Sequence, residues 1–299
     1  MKRATEQIMV SLTQIFIVCM TILSAAGAPA QERFSFFQTS TPESVERMLK
    51  LANLRDDDVI VDLGSGDGLI VLTAARMNAK LRGWGIDIDE KLVAESNGVA
   101  KAQGVADRVK FFHQNAFDAD LREATVITMW LFPELMRLLR PIILERARPG
   151  TRIVTSTWDL GTWPADNIDG GNPSIHLWTV PARVAGNWSW DFSLANQRVA
   201  YAAVLDQQFQ AAEGVVRAGA NREVLTDMRL TGENISFNLA MTLEGLGLIR
   251  HEFNGKVRGD QIEGSARVIL PEGIRLELPW RASLTRGSNY FAPTGVNMP

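Results

Sequence analysis

The run Val59-Ile-Val-Asp-Leu-Gly-Ser-Gly-Asp-Gly68 restricts this chain more than any other segment. Val59–Leu63 is a short apolar stretch rich in β-branched residues, the pattern of a buried strand. It runs straight into three glycines spaced by single residues, Gly64, Gly66 and Gly68, and a helix pattern follows over Leu69–Met77. Glycine lets a backbone turn through positive φ and lets a ligand come close. A helix N-terminus supplies amide donors and a positive dipole end. Together these features build a site for the polar part of a nucleotide-like ligand. The dinucleotide fingerprint differs, because its third glycine stands three residues after the second. The spacing here therefore disfavours an NAD enzyme.

The segments that follow continue the theme. Thr41 and Pro42 are suited to start a helix over Glu43–Leu51 as N-cap and first helical residue. Strand and helix patterns then alternate: strand Gly83–Ile88, helix Glu90–Gln103, strand Val109–His113, strand Thr125–Leu131, helix Glu134–Leu144 and strand Arg152–Thr157. Such alternation predicts an α/β fold, a doubly wound Rossmann-like parallel sheet with helices on both faces. After about Pro181 helical periodicity stops. The phrases Leu230-Thr-Gly-Glu-Asn-Ile-Ser-Phe237 and Val257-Arg-Gly-Asp-Gln-Ile-Glu-Gly264 nearly repeat, each with Gly and an acid between alternating runs. Both suit tight hairpins. Residues 190–285 are expected to form a small antiparallel β-domain, a curled sheet or half-barrel, and Gly287–Pro299 a loose tail.

The second strand ends in Gly85-Ile-Asp-Ile-Asp89, about 20 residues past the glycine turn. Asp87 is placed to accept both hydroxyls of a ribose. A phosphorylated ribose would be repelled, which points to an unphosphorylated nucleoside ligand such as S-adenosylmethionine (SAM) or NAD. Asp89 has a plainer reading as N-cap of the next helix. Asp62, at the end of the first strand, is placed to orient the loop amides or to hold a ligand ammonium through water.

From Phe36 to about Arg183 the chain resembles class I SAM-dependent methyltransferases. Within them it is most similar to the protein-lysine methyltransferase group that includes the mitochondrial ATP synthase c-subunit methyltransferase and its bacterial relatives. Thr41-Pro42, Met48-Leu49, Val61–Gly68 and Leu131-Phe-Pro-Glu134 carry the resemblance. It implies SAM as cofactor, held by Asp62, Gly64, Gly66, Gly68, Asp87 and Asn115. In the family an Asp past the third strand commonly accepts from the adenine amino group; here Asn115 stands there, with an amide oxygen and no charge. Asp118 is a fallback, and Phe117 is either an adenine-facing ring or a core aromatic. The resemblance also implies N-methylation of an amine, a protein lysine. In an open α/β sheet the active crevice lies outside the strand carboxyl ends. Trp130, Leu131, Phe132 and Pro133 would then wall off an amine nucleophile. Glu134 either pairs with a substrate cation or starts a helix. Trp158, Asp159 and Trp163 belong to the same rim.

The 299 residues are 46% hydrophobic and 22% charged, enough for two modest domains with real cores. A net charge of -3 does not suggest a nucleic-acid partner. His113, His176 and His251 lack metal spacing, and the one cysteine, Cys19, lies near the N-terminus, so no metal site is expected. Residues 1–30 read as a signal peptide or membrane anchor: Lys2 and Arg3, an apolar stretch over residues 8–23 able to associate with a membrane, then small residues to Ala30. This gives three expected divisions: 1–30, a methyltransferase domain over 36–183, and the β-domain over 190–285. It also raises an alternative, an exported, non-catalytic binding protein whose β-domain holds an apolar ligand or an envelope partner. Under either reading the body is exported or membrane-associated, unless an anchor leaves the catalytic domain in the cytoplasm.

Overall fold

The computed structural model describes residues 40–271 and 273–285. The signal or anchor segment 1–30, with residues 8–23 and Cys19, and the tail Gly287–Pro299 lie outside them. The two sheets described below belong to one compact unit.

The first sheet grows from the alternation read above. Helix α1 (Pro42–Leu51) precedes β1 (Val59–Leu63), and α2 (Leu69–Met77) leads to β2 (Arg82–Asp87). Then come α3 (Glu90–Ala102), β3 (Val109–His113), β4 (Val126–Met129), α4 (Pro133–Arg146) and β5 (Arg152–Ser156). The sheet is completed by β6 (Asn167–Asp169) and β7 (Ile175–Thr179), which periodicity did not reveal. The order is β3-β2-β1-β4-β5-β7-β6, with β7 antiparallel to both of its neighbours and β1 to β5 parallel. All five residues of β1 are buried, as a central parallel strand requires.

Boundaries moved by a residue or two for local reasons. The Thr41 hydroxyl accepts the Ser44 N–H as N-cap of α1, at 3.2 Å. The fourth strand stops at Met129 rather than Leu131, because Trp130–Phe132 leave the sheet. The helix after it starts at Pro133 rather than Glu134 and runs on to Arg146; proline has its φ preset for a first helical position.

Two cores sandwich this sheet. On one face α1, α2 and α3 pack Val45, Met48, Leu72, Val93 and others against Ile60, Val126 and Val154. On the other, α4 packs Met136, Leu139 and Ile143 against Val61, Ile127 and Ile153, joined by Trp163, Trp178 and, from the second sheet, Phe209. No helix separates β5 from β6; the loop Thr157–Asp166 takes that place.

The second sheet has nine strands: β8 (Gly186–Leu194), β9 (Gln197–Gln208), β10 (Ala211–Ala218), β11 (Asn221–Val224), β12 (Thr226–Thr231), β13 (Asn234–Leu243), β14 (Gly247–Arg258), β15 (Gln261–Ile269) and β16 (Arg275–Leu284). Its order is β11-β10-β9-β8-β16-β15-β14-β13-β12. The two edge strands are consecutive in sequence, and the sheet curls into a nearly closed barrel. Inward residues alternate strictly along β8, where Trp188, Trp190, Phe192 and Leu194 enter a core with Tyr201, Phe237, Phe253 and Trp280. The near-repeated phrases form the expected two-residue turns: Thr231 pairs with Asn234 and Arg258 with Gln261, with Gly232 and Gly259 at φ +57° and +59°.

Candidate functional site

The glycine turn is stapled to the second strand. Gly64 and Ser65 both donate backbone N–H to the Ile86 carbonyl, at 2.8 and 2.9 Å. The Asp87 carboxylate accepts the Gly66 N–H on Oδ2 at 2.8 Å and the Asp89 N–H on Oδ1 at 2.9 Å. One acidic side chain thus fixes both the turn and the start of α3. Asp89 caps that helix, accepting from the N–H groups of Lys91 and Leu92.

The glycines are needed sterically as well as conformationally. Gly68 sits at φ +77°, and a Cβ there would lie 2.6 Å from Cζ of the buried Phe111 ring. Gly64, at φ +82°, would meet Leu131 Cδ2 at 2.5 Å. Leu131, from the segment after β4, therefore lies directly against the turn. No side chain caps α2 at Gly68. The Ser65 hydroxyl is buried in the turn without a hydrogen-bond partner. An orphaned buried hydroxyl, a tight backbone cradle and a helix N-terminus fit the polar end of a bound nucleoside cofactor.

Asp62 lies beneath the turn, 1% exposed, and accepts the Thr128 hydroxyl at 2.8 Å. Asp62 and Thr128 stand opposite each other in the β1–β4 register. Burial pushes the Asp62 carboxyl up to about 7, the Thr128 hydrogen bond opposing this and the charges of Asp87 and Asp67 adding to it. Asp58, just before β1 at its other end, is also little exposed but goes the other way. Burial raises it, yet hydrogen bonds from Thr125, Arg152 and the Arg55 N–H hold it below the usual carboxylate range. Three hydrogen-bond donors, Arg152 among them, against one at Asp62 separate the two outcomes.

Asn115 follows β3, beside β2: the preceding Gln114 N–H donates to the Asp87 carbonyl at 3.0 Å. Its amide oxygen accepts the Phe117 N–H at 3.0 Å and caps a short 3-10 turn, Ala116–Asp118. Phe117 is half-buried at the edge of the α4-side core, and Asp118 is exposed. After β4, Trp130 and Pro133 are half-buried, Leu131 is buried and Phe132 is 43% exposed. Glu134 lies on the solvent side of α4, paired with Arg137 at 3.1 Å. Beyond β5, Trp158 is 45% exposed and Asp159 exposed, while Trp163 is buried. The site thus joins Gly64 to Leu131 and Gly66 to Asp87 by direct contact, with the buried Asp62 within reach of the Asp87 charge and Gly68 closing the turn by donating its N–H to the Ser65 carbonyl. Asn115 flanks them through β3, and an aromatic rim continues over the ends of β4 and β5.

Thr128 and Ser65 were missed as functional candidates, since neither stands out until strand register sets it beside Asp62 or inside the turn. Phe111, which fills the space below Gly68 and Gly85, was missed for the same reason.

Residues 62–167 match the family model described as ANTKMT methyltransferase domain. A protein-lysine N-methyltransferase of Saccharolobus islandicus is 33% identical over 146 residues, 47% of this chain and 91% of that relative. A ribosomal protein L11 methyltransferase of Actinobacillus succinogenes is 34% identical over 90 residues, 30% of each chain. Among solved structures, an RNA methyltransferase from Salinibacter ruber in complex with S-adenosyl-L-homocysteine is 43% identical, with a TM-score of 0.48 over 50% of this chain and 96% of that one.

Proposed function

The chain belongs to the class I SAM-dependent methyltransferases, and from that premise we propose that it N-methylates a protein side-chain amine, that of lysine. The likeness to a protein-lysine N-methyltransferase over nine-tenths of that relative's length supports this reading most. The site is compatible with it. SAM supplies an electrophilic methyl on a sulfonium. The glycine turn and the start of α2 would receive its polar end, Asp87 its ribose hydroxyls, and Asn115 its adenine amino group.

The residues over the ends of β4 and β5 would do the rest. A lysine amine attacks only when neutral, and an apolar wall favours the neutral form. Leu131, Phe132 and Trp158 offer such a wall, and the aromatic faces would hold a cationic lysine as it enters. The amine lone pair forms the new N–C bond as the C–S bond breaks, and the surplus proton leaves to water. Alignment and exclusion of water would supply the acceleration, with no covalent enzyme intermediate. The comparisons lend no support to an exported, non-catalytic alternative.

The test is incubation of the purified chain with methyl-labelled SAM and poly-L-lysine, free lysine or ribosomal protein L11, followed by mass spectrometry. Recovery of N-methyl-lysine is expected. Label found only in base-labile esters or in nucleic acid, or no binding of S-adenosylhomocysteine (SAH), would sink the proposal.

A further inference from the structure

The loop Thr157–Asp166 runs beyond the carboxyl end of β5, on the rim where an acceptor would enter, and it carries the exposed Trp158. It has no helix of its own to hold it. Trp163, 1% exposed, is held from both sheets: Trp178 of β7 donates its indole N–H to the Trp163 carbonyl at 2.9 Å, and the second sheet supplies a stacked ring and the acceptor for the Trp163 indole N–H. Phe209, from the turn between β9 and β10, stacks on Trp163 with centroids 5.4 Å apart and planes at 6°. Gln210, the next residue, accepts the Trp163 indole N–H at 2.7 Å. The same amide donates to the Pro164 carbonyl at 2.8 Å and to Asp166 at 3.2 Å. From α4, Arg140 lies 5.3 Å from the Phe209 ring centre and donates to the Leu160 carbonyl at 2.7 Å.

The turn residue is an unusual choice that this contact accounts for. Gln208 pairs with Ala211, so Phe209 and Gln210 form a two-residue hairpin loop. At the same first position three of the other two-residue hairpins of this sheet carry glycine, Gly219, Gly232 and Gly259, and the fourth carries the small Ala195, all at positive φ. Phe209 takes φ +55° although it is a bulky aromatic. Such a residue in the left-handed region persists only where its surroundings over-determine it, and those places cluster at functional sites. Glycine would make the turn more easily. Phenylalanine supplies the ring that seats Trp163.

We propose that the β9–β10 turn is a positioning element for the methyl acceptor. Phe209 and Gln210 fix Trp163, Trp163 fixes the loop Thr157–Asp166, and the loop presents the exposed Trp158 at the crevice. The second sheet thereby sets acceptor affinity without contacting the glycine turn or Asp87. This rests on the methyl-transfer reading above, and its test has one arm that does not.

The experiment compares wild type, Phe209→Gly, Phe209→Tyr and Gln210→Ala in the full chain. Phe209→Gly keeps the turn conformation and removes only the ring, so it is the variant expected to stay folded. Hydrogen exchange should show the amides of residues 157–166 opening at least about tenfold faster in Phe209→Gly and Gln210→Ala, and at wild-type rates in Phe209→Tyr. With poly-L-lysine as acceptor, KM should rise about fivefold or more, while kcat and the SAH Kd stay within about twofold. Unchanged exchange in the loop would overturn the proposal, as would a KM that does not move or an SAH Kd that moves with it. If wild type binds no SAH or transfers no methyl, the proposed function fails, and loop exchange alone then decides whether the turn positions the rim.

Discussion

Replacing Asp87 by Asn changes one atom and tests the centre of the site. The carboxylate accepts two backbone N–H groups, from Gly66 at 2.8 Å and Asp89 at 2.9 Å. An amide has one acceptor oxygen, so its NH2 must face one of those donors. Hydrogen bonds to a charged group contribute about 1.5–3 kcal/mol, and a donor left unpaired out of water costs about 1–3 kcal/mol. The turn should therefore lose about 1–3 kcal/mol of its preference for the bound shape, before any ribose contact is counted. At 1.4 kcal/mol per tenfold, SAH should bind about 5- to 150-fold more weakly. Asp89→Asn is the matched control: same chemistry, two residues on, at an N-cap where Asn serves as well as Asp. It should leave SAH affinity within about twofold. Calorimetric titration with SAH reads both. Equal losses in the two variants, or wild-type affinity in Asp87→Asn, would refute the reasoning.

Three further outcomes follow from the geometry. Gly68→Ala and Gly104→Ala both force a Cβ into the left-handed region, at about 1–2 kcal/mol, but only Gly68 would meet a buried ring; Gly104 has nothing within 4 Å. Overpacking adds about 1–3 kcal/mol, so thermal melting should place Gly68→Ala about 2–12 °C below Gly104→Ala. Asp62 keeps a proton in the fold that the unfolded chain releases, so its contribution is full below about pH 4 and is lost as pH rises through about 7. Urea unfolding should show wild type losing up to about 4 kcal/mol across that window relative to Asp62→Asn, which cannot titrate; parallel pH profiles would contradict the assigned burial. Arg152→Met leaves Asp58 buried without its ion pair and should cost about 3–5 kcal/mol at neutral pH. Because Arg152 helps hold the Asp58 carboxyl low in the fold, the variant takes up its proton at higher pH than wild type, so that gap should narrow as pH falls toward about 4 and below.

The parts legible in sequence were those whose cause is local. Val59–Leu63 is apolar throughout and is a central strand; Thr41-Pro42 and Asp89 are helix starts by composition alone, and both act as read. Asp87 was found because a fixed spacing separates it from the glycine turn. What stayed hidden depends on register or on distant contact. Thr128 meets Asp62 only because β1 and β4 pair as they do. β6 is three residues long and mostly exposed, with no hydrophobic period to betray it. Phe209 reads as one more β-domain aromatic until the fold brings it to Trp163, 46 positions earlier in the chain. Glu134, read either as a partner for a substrate cation or as a helix start, lies in the first turn of α4 and pairs with Arg137.

The order of the nine-stranded sheet also governs how it assembles. Every ladder in it joins strands adjacent along the chain except one, β8 with β16, so most of it can zip hairpin by hairpin over two- to five-residue loops. The exception must close a loop of roughly 90 residues, and closure entropy grows only as the logarithm of that length. Yet β8 and β16 share just two register pairs, Ser283 with Ser189 and Leu284 with Trp188. This seam is expected to close last and open first, and amide exchange at Trp188–Ser189 and Ser283–Leu284 would time the barrel's breathing.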